Sequence, residues 1–203
     1  PLDEFQPGRL SKEGIRRELD IPERAVVVGT VGRFSRQKNP LEWVKVAGII
    51  ARLRPQVNFL LVGDGPLRSQ VEAQIHAEGI AARTLLTGLR RDVPQLMAAM
   101  DVFLLTSLWE GLPRVLPQAM AMRLPLVAQR ADGTAEVVRD GVNGYLFEPG
   151  ESEKMAQACI ALLDNPAQRH ELGLQGQKFT RQQFDLQKMI QDIETLYQEL
   201  LNE

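Results

Sequence analysis

VFLLTSLWEGLPRVLPQAMAMRLPLVA, from Val102 to Ala128, is the stretch that decides the fold. Its first run, Val102–Thr106, is apolar without alternation, the pattern of a parallel strand covered on both faces. Proline is tolerated only in the first turn of a helix, so Pro117 sets a helix start close to Arg114–Leu116. A second apolar run, Pro125–Ala128, follows that helix. Strand, loop, helix and strand in this order make one βαβ unit.

The same alternation extends in both directions. Ala25–Gly32, Val57–Val62, Arg83–Thr87 and Tyr145–Phe147 are further strand candidates, with helical stretches at Leu41–Arg54, Leu67–Glu78 and Asp92–Met100. Repeated βαβ units predict a doubly wound parallel α/β sheet. From Glu151 onward the pattern is all helix. Met155, Ala158, Cys159 and Leu162 form one apolar stripe, and Ile190, Ile193, Tyr197, Leu200 and Leu201 form another. Both stripes are expected to pack on the domain, which makes Cys159 a buried small hydrophobe rather than a nucleophile. Ahead of the first strand, residues 1–23 read as a linker plus a short helix around Ser11–Leu19, with Ser11 as its cap. The expected organisation is a connection over 1–23, an α/β domain over 24–165 and C-terminal helices over 166–203.

The 203 residues carry 24 Lys+Arg against 26 Asp+Glu, a net charge of -2, with 44% hydrophobic residues. This length suits one domain, which by size scaling buries roughly 70% of its unfolded surface without disulfides or metal. A charge near zero removes the electrostatic basis for general nucleic-acid binding, and no nucleic-acid partner is expected. The longest apolar stretch, Met97–Trp109, contains Asp101 and falls short of the ~20 residues that span a bilayer. A lone cysteine cannot form an internal disulfide, which points to a reducing compartment and a cytoplasmic location. His76 and His170 lack partners at ligand spacing, so no metal site is expected. The chain starts at Pro1 without a charged-then-apolar leader and is expected to be a fragment. Residues 1–100 hold 15 basic and 11 acidic side chains, and residues 101–203 hold 9 and 15, so a small anion is expected in the first half.

Ligands of open α/β sheets bind beyond the carboxyl ends of the strands. After the first strand comes GRFSRQKNP, Gly32–Pro40, in which Gly32 permits a sharp departure and Asn39-Pro40 reads as an N-cap and first-turn pair. Arg33, Lys38 and a helix N-terminus then converge on one spot that suits a phosphate or diphosphate. A solvated basic loop explains the same residues, and the motif alone leaves the two readings even. A nicotinamide-dependent dehydrogenase fails on spacing, because the glycines do not form G-x-G-x-x-G. Gly63-Asp64-Gly65-Pro66, after the second strand, is explained by a tight turn with Pro66 opening the next helix. In the stretch quoted first, Glu110 sits at the strand end and Gln118 in the opening helical turns. A carboxylate suits sugar hydroxyls and an amide suits a diol. Gly111 leaves the amides of Leu112–Leu116 open to a ligand.

SLWEGLPRVLPQAMAMRLPLVA, then DGTAEVVRDGVNGYLF, preceded by VGRFSRQKNP and LLVGDGP, resembles the donor-binding domain of the retaining glycosyltransferases of the GT-B fold, the group 1 glycosyltransferase family. The motifs stand in the family's order and cover about residues 24–150 closely. The resemblance implies a Rossmann-like sheet with C-terminal helices, one half of a GT-B fold and its C-terminal domain, with 24–165 binding a nucleotide sugar. It implies that Arg33 and Lys38, beside Gly32, hold the donor diphosphate, and that Glu110 bonds hydroxyls of the transferred sugar. Glu110, Arg33 and Lys38 would carry catalysis. Gln118 would meet the ribose, and the loop Gly88–Arg91, with Leu89 and Arg90, would meet the base. Gly111, Leu112, Pro113 and Arg114 would line the donor, with the N–H groups of the non-proline positions facing sugar or phosphates, and Glu136 is a second-tier candidate.

The same resemblance implies a UDP- or GDP-sugar as donor and a glycan or lipid-linked acceptor. It also implies a separate N-terminal acceptor-binding domain, because PLDEFQPG resembles the end of the interdomain connection. No cofactor is expected, and the lack of a D-x-D pair predicts no metal. For the full-length protein, peripheral association with the inner face of the membrane is an open expectation. This chain alone is expected to be inactive, with an exposed apolar rim where the other domain docks. Three departures stand against the family pattern. Gln118 replaces a Glu, keeping a hydrogen-bonding end and losing its charge. Arg123 replaces a Gly after the helix and is expected to displace the helix end, because it must avoid positive φ or bear strain. Asp132 replaces the first of two glycines and is expected to crowd or redirect the donor pocket. The alternative reading that these departures favour is a non-catalytic nucleotide-sugar-binding or scaffolding module.

Overall fold

Six apolar runs pair side by side in the computed structural model, which describes residues 2–184 and 186–201. They are β1 (Val26–Val31), β2 (Val57–Val62), β3 (Thr84–Leu86), β4 (Val102–Leu105), β5 (Leu126–Gln129) and β6 (Gly144–Phe147). All pair in parallel, in the order β3-β2-β1-β4-β5-β6, with Val28 opposite both Phe59 and Val102. The strands are mostly apolar because both faces of the sheet are covered. Val28, Phe59, Leu61, Leu104 and Val127 point into one core, and Val27, Leu60, Phe103, Leu105 and Leu126 point into the other.

The helices are α1 (Lys12–Glu18), α2 (Pro40–Leu53), α3 (Arg68–Ala77), α4 (Val93–Ala98), α5 (Val115–Ala121), α6 (Thr134–Val137), α7 (Ser152–Asp164), α8 (Pro166–Gln183) and α9 (Leu186–Leu201). Helices α2, α3 and α7 feed the first core, and α4 and α5 feed the second. The doubly wound α/β sheet expected from the βαβ pattern is the fold observed. Its strand order reverses between β1 and β4, and such a switch point opens a crevice at the carboxyl ends of those two strands.

Helix α1, capped by the Ser11 hydroxyl, is pinned to the sheet by charge. Arg16 is buried and donates to the carbonyls of Ala99, Glu23 and Ala25 and, at 2.7 Å, to the Asp101 carboxylate. Lys12 reaches the other Asp101 oxygen at 2.6 Å, and the Val27 amide donates to Asp101 at 2.8 Å. Burial alone would raise the Asp101 carboxyl, but Lys12, Arg16 and the Val27 amide outweigh it and hold the group below its usual range.

Several local expectations are corrected. Strand β3 is shorter than Arg83–Thr87 because Ala81–Arg83 turns as a 3-10 helix. Pro66 does not open α3, which starts at Arg68. The Leu67 amide is held by the Phe34 carbonyl at 3.0 Å, and this delays the helix. Arg123 does not displace the end of α5. It accepts φ of 59°, and the Arg123 and Leu124 amides close the helix on the Met120 and Ala119 carbonyls. The first C-terminal stripe packs as expected, and full burial pushes the Cys159 thiol up. The second does not: Ile193, Tyr197 and Leu200 are 46%, 64% and 58% exposed on α9, because helical spacing specifies an apolar face without specifying what covers it. Among the described residues no helix is long and apolar enough to cross a membrane.

Candidate functional site

The loop after β1 and the loop after β4 flank the switch point, and backbone contacts sew them together. The Leu108 amide donates to the Gln37 carbonyl at 2.8 Å, and Gln37 Nε2 donates to the Trp109 carbonyl at 3.1 Å. Thr106 Oγ1, at the end of β4, donates to the Asn39 carbonyl at 3.0 Å. These staples bring Lys38 onto Glu110, where Nζ and Oε1 form an ion pair. Glu110 is 6% exposed and Lys38 24%, so the carboxylate is buried and the ammonium keeps an open side. The Lys38 stem passes over Gly32, whose position would place a Cβ 3.6 Å from Lys38 Cγ.

A third segment braces Glu110 from below. The Gly133 amide donates to the Glu110 carbonyl at 3.0 Å, and a Cβ at Gly133 would lie 1.3 Å from the Gly111 carbonyl oxygen. No side chain fits there. Asp132, one residue earlier, is exposed, as is Glu136 on α6. The β2 turn approaches β1 just as closely: Gly63 has φ of 137°, and a Cβ there would meet the Gly32 carbonyl oxygen at 2.0 Å.

Next to the ion pair opens a cleft of about 590 Å³ formed by the segments after β1, β2 and β3, with Gly32, Arg33, Asp64, Leu89 and Arg90 on its walls. Arg33 is exposed and has no partner among the described residues, which leaves it free for an anion. Arg90 is engaged by Asp92 at 2.5 Å, and Leu89 is largely exposed. Gly32 and Arg33 also line a small hollow with Lys38 and Thr106, so the diphosphate candidates share one corner. Glu110, Gly111, Leu112, Pro113, Arg114 and Gln118 do not line the larger cleft. Gly111, Leu112 and Arg114 are exposed on the β4–α5 loop, Pro113 is buried, and Gln118 is half-buried on α5.

Two features escape a reading by motif. Asn39 is not a side-chain cap: it sits at φ of 47°, a left-handed bend that lets the backbone turn from the stapled loop into α2, and its side chain makes no capping bond. Asp64 does more than turn the chain. It accepts from the Gly65 amide at 2.7 Å and from Arg68 at 3.0 Å, on the wall of the cleft. An acidic residue between two glycines was the available signal.

The family profile described as "Glycosyl transferases group 1" matches residues 11–179. The chain belongs to the group 1 glycosyltransferase family. It is 34% identical, over 80% of its length, to the Vi polysaccharide biosynthesis protein VipC/TviE of Salmonella typhi, 29% of which is covered. It is 31% identical over 81% of its length to the UDP-Gal:alpha-D-GlcNAc-diphosphoundecaprenol alpha-1,3-galactosyltransferase of Escherichia coli, 43% of which is covered. Among solved structures, Anabaena HepE in complex with UDP-glucose matches with a TM-score of 0.87 at 30% identity, over 97% of this chain and 55% of that one. The chain therefore spans less than half the length of these two curated relatives. In this group 1 glycosyltransferase chain, among the described residues, no group of three or more His, Cys, Asp or Glu side chains is placed to hold a metal ion.

Proposed function

We propose that this chain is the C-terminal, donor-binding half of a retaining GT-B glycosyltransferase that passes a hexosyl unit from a UDP- or GDP-sugar to a glycan or lipid-linked acceptor. The observation that carries the reading is the Lys38–Glu110 ion pair at the switch point, beside a cleft whose Arg33 has no partner among the described residues. A nucleotide needs a cavity of roughly 300–1,000 Å³, and the cleft of about 590 Å³ has that size. HepE, solved with UDP-glucose, supports a uridine nucleotide sugar as the donor class.

In this reading residues 24–165 hold the donor, residues 1–23 connect to an acceptor-binding domain, and residues 166–203 supply the C-terminal helices. Leu89 and Arg90 flank the base, and Gln118 bonds the ribose. The anomeric carbon exchanges its bond to the diphosphate oxygen for a bond to the acceptor oxygen, and the proton of the acceptor hydroxyl passes to the departing diphosphate oxygen. The departing nucleoside diphosphate gains negative charge, which Arg33 and Lys38 neutralise without a metal or cofactor. Glu110, freed of part of its pairing as Lys38 turns to the phosphates, accepts from sugar hydroxyls, and the amides of Gly111, Leu112 and Arg114 face the donor. Exposed Leu108, Trp109 and Leu112 supply the apolar rim for the second domain. Without that domain the chain binds donor and transfers nothing. Association of the full-length enzyme with the inner face of the membrane follows if its acceptor is lipid-linked.

Calorimetry with UDP and GDP is the test. Arg33→Ala and Lys38→Ala are each expected to weaken binding at least tenfold, and unchanged affinity in both overturns the phosphate assignment. A second reading, a non-catalytic module, is favoured by Gln118 in the place of a family Glu. Turnover by the full-length protein that is lost in Glu110→Ala rejects it.

A further inference from the structure

We propose that a second hollow, at the amino ends of the strands, binds a phosphate-class oxyanion. It holds about 230 Å³ and is lined by Lys12, Asp101, Arg123, Arg169 and His170 among others. Asp101 directly precedes β4 and Leu124 lies just before β5, whereas Glu110 follows β4. The hollow is therefore at the far edge of the sheet from the donor cleft.

Its charge is unbalanced. Among the described residues Asp101 is its one lining carboxylate, and buried Arg16 already pairs with that group at 2.7 Å. Lys12 shares Asp101 at 2.6 Å, and Arg169 Nη2 stands 3.8 Å from it. Three cations, Lys12, Arg16 and Arg169, thus face one carboxylate, and Arg123 and His170 stand on the lining beside them. Burial, the largest influence, pulls the Lys12 ammonium below its usual value. Asp101 opposes this, and Arg16 and Arg169 push in the same direction as burial. An anion relieves that repulsion.

The cations are also held in place. Gln177, buried on α8, donates through Nε2 to the Ala121 carbonyl at 3.0 Å, and this fixes its Oε1 to accept from Arg123 Nε at 2.9 Å. Both Nη groups of Arg123 have no protein partner among the described residues. Arg169 Nη1 is steadied by the Leu163 and Leu162 carbonyls at 3.3 and 3.4 Å. Arg123 itself adopts φ of 59°, a conformation that glycine takes freely and arginine under strain. A glycine would serve the helix end better, and only the arginine brings a forked donor to this hollow. At about 230 Å³ the space is below the roughly 300–1,000 Å³ of nucleotide-sized ligands, so it suits a phosphoryl group with little attached. Bound there, the anion cross-links α1, the end of α5 and the start of α8.

A phosphate monoester in solution and a phospholipid headgroup present the same group, and two experimental arms separate them. In the first, the thermal unfolding of the 203-residue chain is followed while inorganic phosphate is titrated at constant ionic strength against chloride. A saturable rise of roughly 3–6 °C at ten times Kd is expected. Arg123→Gly should abolish the rise, and Arg169→Gln should also abolish it. Arg33→Ala, in the donor cleft, should leave it intact. In the second arm, cosedimentation with phosphatidic acid vesicles, set against phosphatidylcholine, assigns the lipid source if Arg123→Gly abolishes it. Its absence beside an intact phosphate response assigns the soluble source. No rise beyond chloride together with no vesicle binding overturns the proposal. So does a rise that survives Arg123→Gly and disappears in Arg33→Ala.

Discussion

Lys38 and Glu110 stand 72 positions apart, and each is incomplete alone. Without Lys38 the Glu110 carboxylate remains buried and unpaired, a change that costs 3–5 kcal/mol in fully buried pairs. Lys38 keeps an open side, which discounts the cost to about 2 kcal/mol. Lys38→Ala should lower urea stability by that amount, and the double variant Lys38→Ala/Glu110→Ala should recover most of it. A double variant no more stable than the single one would show that Lys38 contributes something other than this pair. Asp101 carries the other residue-scale prediction. Its folded pKa lies below the unfolded value near 3.8, so its contribution is present in full above that value and is lost as pH falls through the folded pKa. Urea titrations from pH 7 to pH 3 should show stability falling at the acid end, and Asp101→Asn should flatten that fall. The same variant should cost about 3 kcal/mol at pH 7, because Arg16 is left buried without its partner.

At the scale of the element, the site depends on three loops closing on one another, and Gly133 is where the closure is tightest. Gly133→Ala must push the β5–α6 turn away from Gly111. A loss of about 2–4 kcal/mol is expected, with weakened UDP binding in calorimetry because Glu110 moves with its loop. Wild-type affinity and stability in this variant would mean that the closure is dispensable. The loops also mark how far sequence reading reaches. The βαβ order, the burial of Met155 and Cys159, and the start of α5 near Pro117 follow from local periodicity and proline geometry, so they were readable. Arg33, Lys38 and Glu110 could be singled out one by one, but the ion pair could not be read. It depends on staples from Gln37 to Trp109 and from Thr106 to Asn39, contacts between segments far apart in the chain. Asn39 misled for the same reason: its helix-start signal is real, and the stapled loop forces it into a left-handed bend. Asp101 looked like an interruption in an apolar run because nothing local announces that Arg16 and Lys12 fold back onto it. The stripe on α9 was readable as a face, and its exposure was not.

For the whole molecule, a small total charge hides two hollows lined by cationic side chains at opposite edges of one sheet. The switch point gives the larger its position, since only there do two adjacent strands send their loops apart. Binding to the native state alone stabilises by RT ln(1 + [L]/Kd), about 2.7 kcal/mol at a hundredfold excess over Kd. For a chain of this length that corresponds to a rise in Tm of about 5–11 °C. A thermal-shift panel of UDP-, GDP- and ADP-sugars is expected to give one donor class a rise in this range, with no transfer to added acceptors. Arg33→Ala should reduce the rise, and on the proposed reading salt should reduce it less than it would for a surface ion pair, because a cleft screens bound phosphates less. Phosphate at the second hollow adds its own increment. A donor-induced rise measured in saturating phosphate should therefore survive if the two places are independent, and should vanish if the phosphate sits in the donor cleft instead. A flat response to every donor, in phosphate and without it, counts against the donor-binding reading while leaving the second hollow to its own test.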